Sequence, residues 1–191
     1  VTPIPQIEIK PFASTVDKSF RRNVLENNRW DKEPKNGWVL PSNWHDKIDD
    51  TIRTSLIVKY MDGVSCITTA LKSYCEQNST PCEVSFQASK EGYYAAHVYI
   101  KREFEVPKMT WDTQNISLFI EFQIATQLQE LIRQMTHFYY EKRRSLPEGK
   151  NLKWQWDYTS EEFTPYYLGH ILHYVEGIIM EVRNKHVKGK T

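Results

Sequence analysis

The clearest signal in the chain is an alternation. Ile116, Leu118, Ile120, Phe122 and Ile124 interleave with Ser117, Phe119, Glu121 and Gln123. A period of two predicts a β-strand with the apolar set facing a core. Directly afterwards the period changes. Leu128, Leu131, Ile132, Met135 and Phe138 recur at helical spacing between Gln127 and Arg143, which predicts a helix with that stripe inward. Upstream, the β-branched run from Thr51 to Tyr60 predicts another strand, Met61-Asp62-Gly63 a turn, and Val64, Ile67, Leu71, Tyr74 and Cys75 a helix. Cys82 to Ser89 reads as a short strand. Lys90-Glu91-Gly92 turns the chain into a second strand that Pro107 ends.

The flanks are helical. Ser14 to Asn27 opens on a capping serine and carries Val16, Phe20 and Val24 on one side. The last helix starts at Thr164-Pro165, where proline's missing N–H does no harm. It runs to about Lys185 with Leu168, Ile171, Leu172, Val175, Ile178, Ile179 and Val182 inward. Residues up to Pro11 read as an arm. The Trp-, Pro- and Asn-rich stretch from Asn28 to His45 reads as a loop, long enough to hint at function. Strands cluster in the middle and helices flank them, so the fold class is α+β, a sheet covered on one or both faces. With no repeat and no long linker, one domain is expected over residues 1–191: an N-terminal arm and helix (1–45), a core (46–145), and a C-terminal Trp-rich loop and helix (146–191).

Composition narrows the function. Lys plus Arg is 25 and Asp plus Glu is 24, so no broad positive field draws nucleic acid to the chain; only a local patch could. Cys66, Cys75 and Cys82 form no CxxC pair, which argues against a zinc ribbon or a disulfide framework and for a reducing compartment. No apolar run approaches the roughly 18 residues of a membrane span. The opening VTPIPQIEIKPF has neither the basic start nor the apolar middle of a signal peptide. A cytoplasmic protein with no membrane partner is expected.

Several residues could carry chemistry. Glu121 and Gln123 project together from the polar side of their strand, a carboxylate and a carboxamide suited to a metal, a hydroxyl or a sugar; the simpler reading is a half-exposed sheet face. Tyr93 and Tyr94 follow Gly92 and precede His97. Their rings could stack on bases, worth roughly 1–3 kcal/mol each, or pack in the core. His137 lies four residues before Glu141, and Lys142-Arg143-Arg144 follow near the helix end, where cations suit the dipole or could contact phosphate or RNA. His170, His173 and Glu176 are spaced i, i+3, i+6, but the last lies well round the helix from the first, which disfavours a metal site.

Three blocks, in order, resemble the synthetase domain of the RelA/SpoT family, the alarmone pyrophosphokinases. EGYYAAH (Glu91 to His97) is similar to the family's Gly-Tyr-x-Ser-x-His loop. IEFQIATQ (Ile120 to Gln127) is similar to its Glu-Ile-Gln-Ile-Arg-Thr strand. THFYYEK (Thr136 to Lys142) is similar to its helix with a His followed by Tyr and Lys. DDTIRTSLIVKYMDGV sits where the family has an Asp, then an Arg and a strand. The match spans about Lys47 to Lys142. YMDGV, QLQELI, THFYYEKRR and YLGHILHYVEG further resemble the small alarmone synthetases of toxin–antitoxin and phage-defence loci.

The resemblance implies a nucleotidyltransferase-like mixed β-sheet with flanking helices. It implies transfer of the β,γ-diphosphate of ATP to a ribose 3′-hydroxyl, with Mg²⁺. Carried over by position, Glu121 engages the acceptor hydroxyl and the metal, Asp50 holds the metal with Asp49 a rival, and Gln123 supports them. Tyr93 stacks on the acceptor base. Arg53, Lys47, His97 and His137 fall on the phosphate and ATP side, and Lys142, Arg143 and Arg144 on the RNA side. The family's arginine is Ala125 here and its loop serine is Ala95. The basic stretch before the Asp is thin, which leaves Arg21, Arg22 or Lys35 as other cations for ATP. The toxin branch implies the tRNA 3′-CCA end as acceptor and a neutralising antitoxin as partner. Two alternatives remain: an alarmone synthetase acting on a free purine nucleotide, and a binding module without catalysis.

Overall fold

The computed structural model describes residues 5–144 and 154–188, and the side chains of these apart from 140–144 and 187–188. In chain order the elements are β1 (Ile7–Ile9), α1 (Phe12–Phe20), α2 (Trp44–Lys47), β2 (Ile52–Val58), α3 (Met61–Gln77), β3 (Cys82–Ala88), β4 (Tyr94–Pro107), β5 (Thr113–Thr126), α4 (Gln127–Arg144) and α5 (Phe163–Lys188). A π-helical turn at Arg21–Leu25 continues α1, and Trp154–Trp156 forms one 3₁₀ turn. The strands make one mixed sheet in the order β1-β2-β5-β4-β3, which is the α+β architecture expected.

β1 is the element that the arm reading missed. It pairs antiparallel with β2, Glu8 opposite Arg53 and Ile9 opposite Ile52. Its three residues are exposed and lie between Pro5 and Pro11, so neither length nor patterning marks it. Prolines beside a three-residue edge strand also limit further pairing.

The chain divides into two compact units. The first comprises Val1–Ser55, Leu71–Val84 and Val98–Gln123. Val39, Ile48, Cys75, Val98 and Ile100 form its buried apolar set. Its long loop is pinned by side-chain amides. Asn23 Nδ2 donates to Val39 O at 2.8 Å and Asn23 Oδ1 accepts from Val39 N at 2.9 Å, as a strand rung would. Asn27 Nδ2 donates to Lys32 O at 2.8 Å.

The second unit comprises Leu56–Ala70, Ser85–His97 and Ile124–Thr191. Ala96, Ile124, Ile132, Trp154 and Tyr166 are buried in it. Two stripes differ from expectation. On α4, Gln129, Ile132 and Thr136 are buried, while Leu131, Met135 and Phe138 are exposed. On α5 the buried positions are Tyr166, Gly169 and Glu176, and Ile171, Ile178, Ile179 and Val182 are exposed. The reason on α5 is a backbone contact. Gly92, at φ +79°, lies so close to Gly169 that a Cβ on Gly169 would meet Gly92 O at 2.4 Å. That contact fixes which face of α5 turns inward, against the apolar count.

Candidate active site

The first unit gathers its acids and cations around the end of α2. Ile48, fully buried, anchors this segment, and Thr51 Oγ1 closes it on Ile48 O at 3.1 Å. Asp49 and Asp50 therefore leave the core together. Lys10 follows β1, and Lys18 and Arg22 stand four residues apart where α1 meets its π turn. Lys10 Nζ donates to Asp50 Oδ2 at 2.8 Å and Lys18 Nζ to Asp50 Oδ1 at 2.8 Å. Lys18 also reaches Asp49 Oδ1 at 2.7 Å, and Arg22 Nη2 donates to the same oxygen at 2.9 Å. A further bond from Arg22 Nη1 to Lys47 O fixes the guanidinium.

These contacts set the ionisation. Burial would raise Asp50, but the bonds from Lys10 and Lys18 outweigh it and hold the carboxyl at about 2. Burial acts likewise on Asp49, where Lys18 and Arg22 bring the net shift below the ordinary value. Both are carboxylates at neutral pH.

Glu121 is buried, 4% exposed, between the half-buried Phe119 and Gln123 on the same strand face. Gln123 Nε2 donates to Glu121 Oε2 at 3.0 Å. The Tyr99 hydroxyl also bonds Glu121. Burial, then the charge of Glu121 and that bond, then Asp49 and Asp50, push the Tyr99 phenol far above its ordinary value. Tyr99 thus stays a phenol and a donor, within the field of all three carboxylates. Sequence reasoning missed it. Its signal was the position between Val98 and Ile100, both buried, which turns Tyr99 to the other side of β4.

A cleft of about 700 Å³ opens in this unit. Arg22, Arg29, Lys35 and Lys47 line it with Asp49 and Tyr99. Lys47 Nζ donates to Asn36 O at 2.6 Å. Three of the cations suggested for ATP, Arg22, Lys35 and Lys47, are therefore cleft residues. Arg21 instead pairs with Asp17 and Glu26, both at 3.0 Å. Arg53 Nε is given to Glu8 Oε2 at 2.8 Å, across the β1–β2 pair.

The remaining candidates belong to the second unit. Tyr93 and His97, both half-buried, meet edge to face with ring centroids 6.3 Å apart. His137 is exposed on α4. Lys142, Arg143 and Arg144 close that helix, and their side chains lie outside the described ones. Ala125 and Ala95 are buried, positions where an unpaired cation or hydroxyl would be costly. His170 Nε2 donates to Lys90 O at 3.0 Å and its Nδ1 accepts from the Tyr94 hydroxyl at 2.8 Å. Among the described residues no three His, Cys, Asp or Glu side chains converge to hold a metal ion, and no helix is long and apolar enough to cross a membrane. Magnesium takes hard oxygen ligands and keeps waters and phosphate oxygens in its shell, so one or two carboxylates suffice. Glu121 with Asp49 or Asp50 fits that donor set, although both Asp50 oxygens already accept from lysines.

No protein-family profile and no curated protein matches the sequence. Solved structures do. A GTP pyrophosphokinase family protein from Streptococcus pneumoniae superposes over 98% of this chain and 78% of its own, at 14% identity and a TM-score of 0.63. Small alarmone synthetase 1 from Bacillus subtilis covers 97% of this chain and 81% of its own at 12% identity, TM-score 0.63. Small alarmone synthetase 2 from the same organism covers 96% and 81% at 15% identity, TM-score 0.58. Over nearly its whole length, the chain has the fold of these pyrophosphokinase and alarmone synthetase structures.

Proposed function

We propose that this protein is an ATP-dependent pyrophosphokinase that moves the β,γ-diphosphate of ATP to a ribose 3′-hydroxyl, the bond from the β-phosphorus to the bridging oxygen breaking and AMP leaving. The observation that carries the reading is the buried Glu121, held by Gln123 and Tyr99 within the field of Asp49 and Asp50, in a chain with this fold. A 3′-hydroxyl is a weak nucleophile at neutral pH and needs a positioned carboxylate to accept its proton. Glu121 takes that role. Gln123 fixes one of its oxygens, and Tyr99 donates to the carboxylate. Arg22, Lys35 and Lys47 receive the triphosphate in the cleft, where positioning and charge supply most of the rate. Glu121 with Asp49 or Asp50 would hold magnesium, which would supply charge neutralisation for the transferring diphosphate. Tyr93 stacks on the acceptor base.

The acceptor is the tRNA 3′-CCA end, contacted through Lys142, Arg143 and Arg144, and the outcome in a cell is inhibited translation, relieved by an antitoxin. The toxin-like blocks YMDGV and THFYYEKRR support this. A second reading, synthesis from a free purine nucleotide, is favoured by the solved small alarmone synthetase 1 bound to its product pppGpp; another structure of that protein holds AMPCPP.

Incubation with γ-labelled ATP and, separately, bulk tRNA, GDP, GTP or AMP decides. Label in tRNA is the expected result. Label only in a free nucleotide assigns the second reading, and label in none, from folded protein with Mg²⁺, overturns both.

A further inference from the structure

The second unit contains a separate cavity of about 380 Å³. Its walls are mostly apolar, with Met61, Val64, Phe86 and Ala95 among them. Gln129, His173 and Glu176 supply polar groups. None of these belongs to the machinery proposed above.

Glu176 is the anomaly. It is 6% exposed, and neither carboxyl oxygen has a hydrogen-bond partner among the described residues. His173 Nδ1 stops 3.7 Å from Oε2, beyond a hydrogen bond. His173 cannot simply turn to it, because its ring lies flat on Tyr94, centroids 3.6 Å apart at 4°. Tyr94 is itself held by its bond to His170. Burial, opposed by Glu176 and helped by His170, keeps the His173 imidazole below its ordinary value. A buried carboxyl without a hydrogen bond is costly and calls for a donor. Gln129 is the complement. Its Oε1 accepts from the Tyr94 N–H at 3.2 Å, which leaves Nε2 as a donor, buried and without a partner among the described residues.

We infer that this cavity binds a flat heteroaromatic ring whose edge carries two adjacent N–H donors and a carbonyl. The two oxygens of Glu176 take the donors, and Gln129 Nε2 donates to the carbonyl. That edge belongs to 2-amino-4-oxopyrimidine rings, found in guanine nucleosides and in pterins. The apolar walls suit the ring faces, and the volume suits one such ligand. A simple amine would satisfy Glu176 and leave Gln129 unpaired.

Calorimetric titration of the full chain, without ATP or Mg²⁺, tests this with guanosine, 6-hydroxymethylpterin and inosine, which lacks the 2-amino donor. Saturable binding of guanosine or the pterin is expected, with inosine at least about tenfold weaker. The tighter of the two assigns the source. Glu176→Gln should weaken binding at least about tenfold. Ser65→Trp, on the exposed rim, should block it without touching the core and keeps the test decisive if the first variant does not fold. Tyr93→Ala should leave this binding unchanged, which separates it from the proposed acceptor site. No saturable binding of either ring, equal affinity for inosine, survival in both pocket variants, or loss in Tyr93→Ala would each overturn the assignment.

Discussion

At the scale of single residues, Glu121 and Asp50 represent two ways of keeping a carboxyl in place. Glu121 is held by neutral donors, Gln123 and Tyr99. Glu121→Gln should keep the fold and lower transfer by at least about 10²-fold, measured as label moved per minute. Asp50 is held by two ammonium groups. Its folded value, about 2, lies below the ordinary 3.8. The native state therefore resists protonation more than the unfolded chain does. The resulting stabilisation is complete above about pH 4 and is lost as pH falls through 2. With solvent screening at a half-buried site allowed for, it amounts to about 1–2 kcal/mol. Urea melts at pH 2 to 5 should show a shallower slope in Lys10→Met, with Lys18 still holding Asp50. Residues also mark where sequence reading stopped. Glu121 and Gln123 stood out because alternation is a short-range signal. Lys10 and Lys18 did not, since the ion pairs that give them meaning span 40 and 32 residues.

At the scale of elements, the central strands and the long helices were legible, while β1, the short α2 and the faces of two helices were not. Apolar periodicity reports which side of a helix is greasy. It does not report a neighbour that demands a missing side chain. Gly92 and Gly169 impose that demand on α5. Gly169→Ala should destabilise by roughly 2–4 kcal/mol, since its Cβ would strike a backbone oxygen that cannot yield. Gly92→Ala adds positive-φ strain to a clash with Tyr166 O and should cost no less. Chemical denaturation reads both. In the first unit, Asn23 substitutes for a strand partner to the loop, donating to and accepting from Val39. Asn23→Leu should release the loop and raise the KM for ATP several-fold while kcat changes less, because the cleft is bounded by loop residues such as Lys35 and Val39.

For the whole molecule, near-neutral charge restricts how RNA could be recognised. If tRNA is the acceptor, its attraction arises from a few local cations rather than a field. The slope of log K against log salt should then be shallow, about −2 for three phosphates contacted on a single strand. A steep slope would contradict recognition through Lys142, Arg143 and Arg144 alone. The α+β order of elements was readable because strands and helices alternate in blocks along the chain. The division into two compact units was not, since each is assembled from three separated stretches of sequence.

The wide turn at Arg21–Leu25 carries a last implication. Such a turn holds one residue more than an ordinary coil of the same length. Removing a single residue there would restore regular winding and swing everything before it by about 100° relative to everything after it. Lys18 precedes that turn and Arg22 lies inside it, yet both grip Asp49. A one-codon deletion at Arg21, between them, would part them. The irregularity is thus the hinge pin of a two-handed grasp, and the loss of one residue along that turn should weaken the hold on Asp49 even where no contacting side chain is removed.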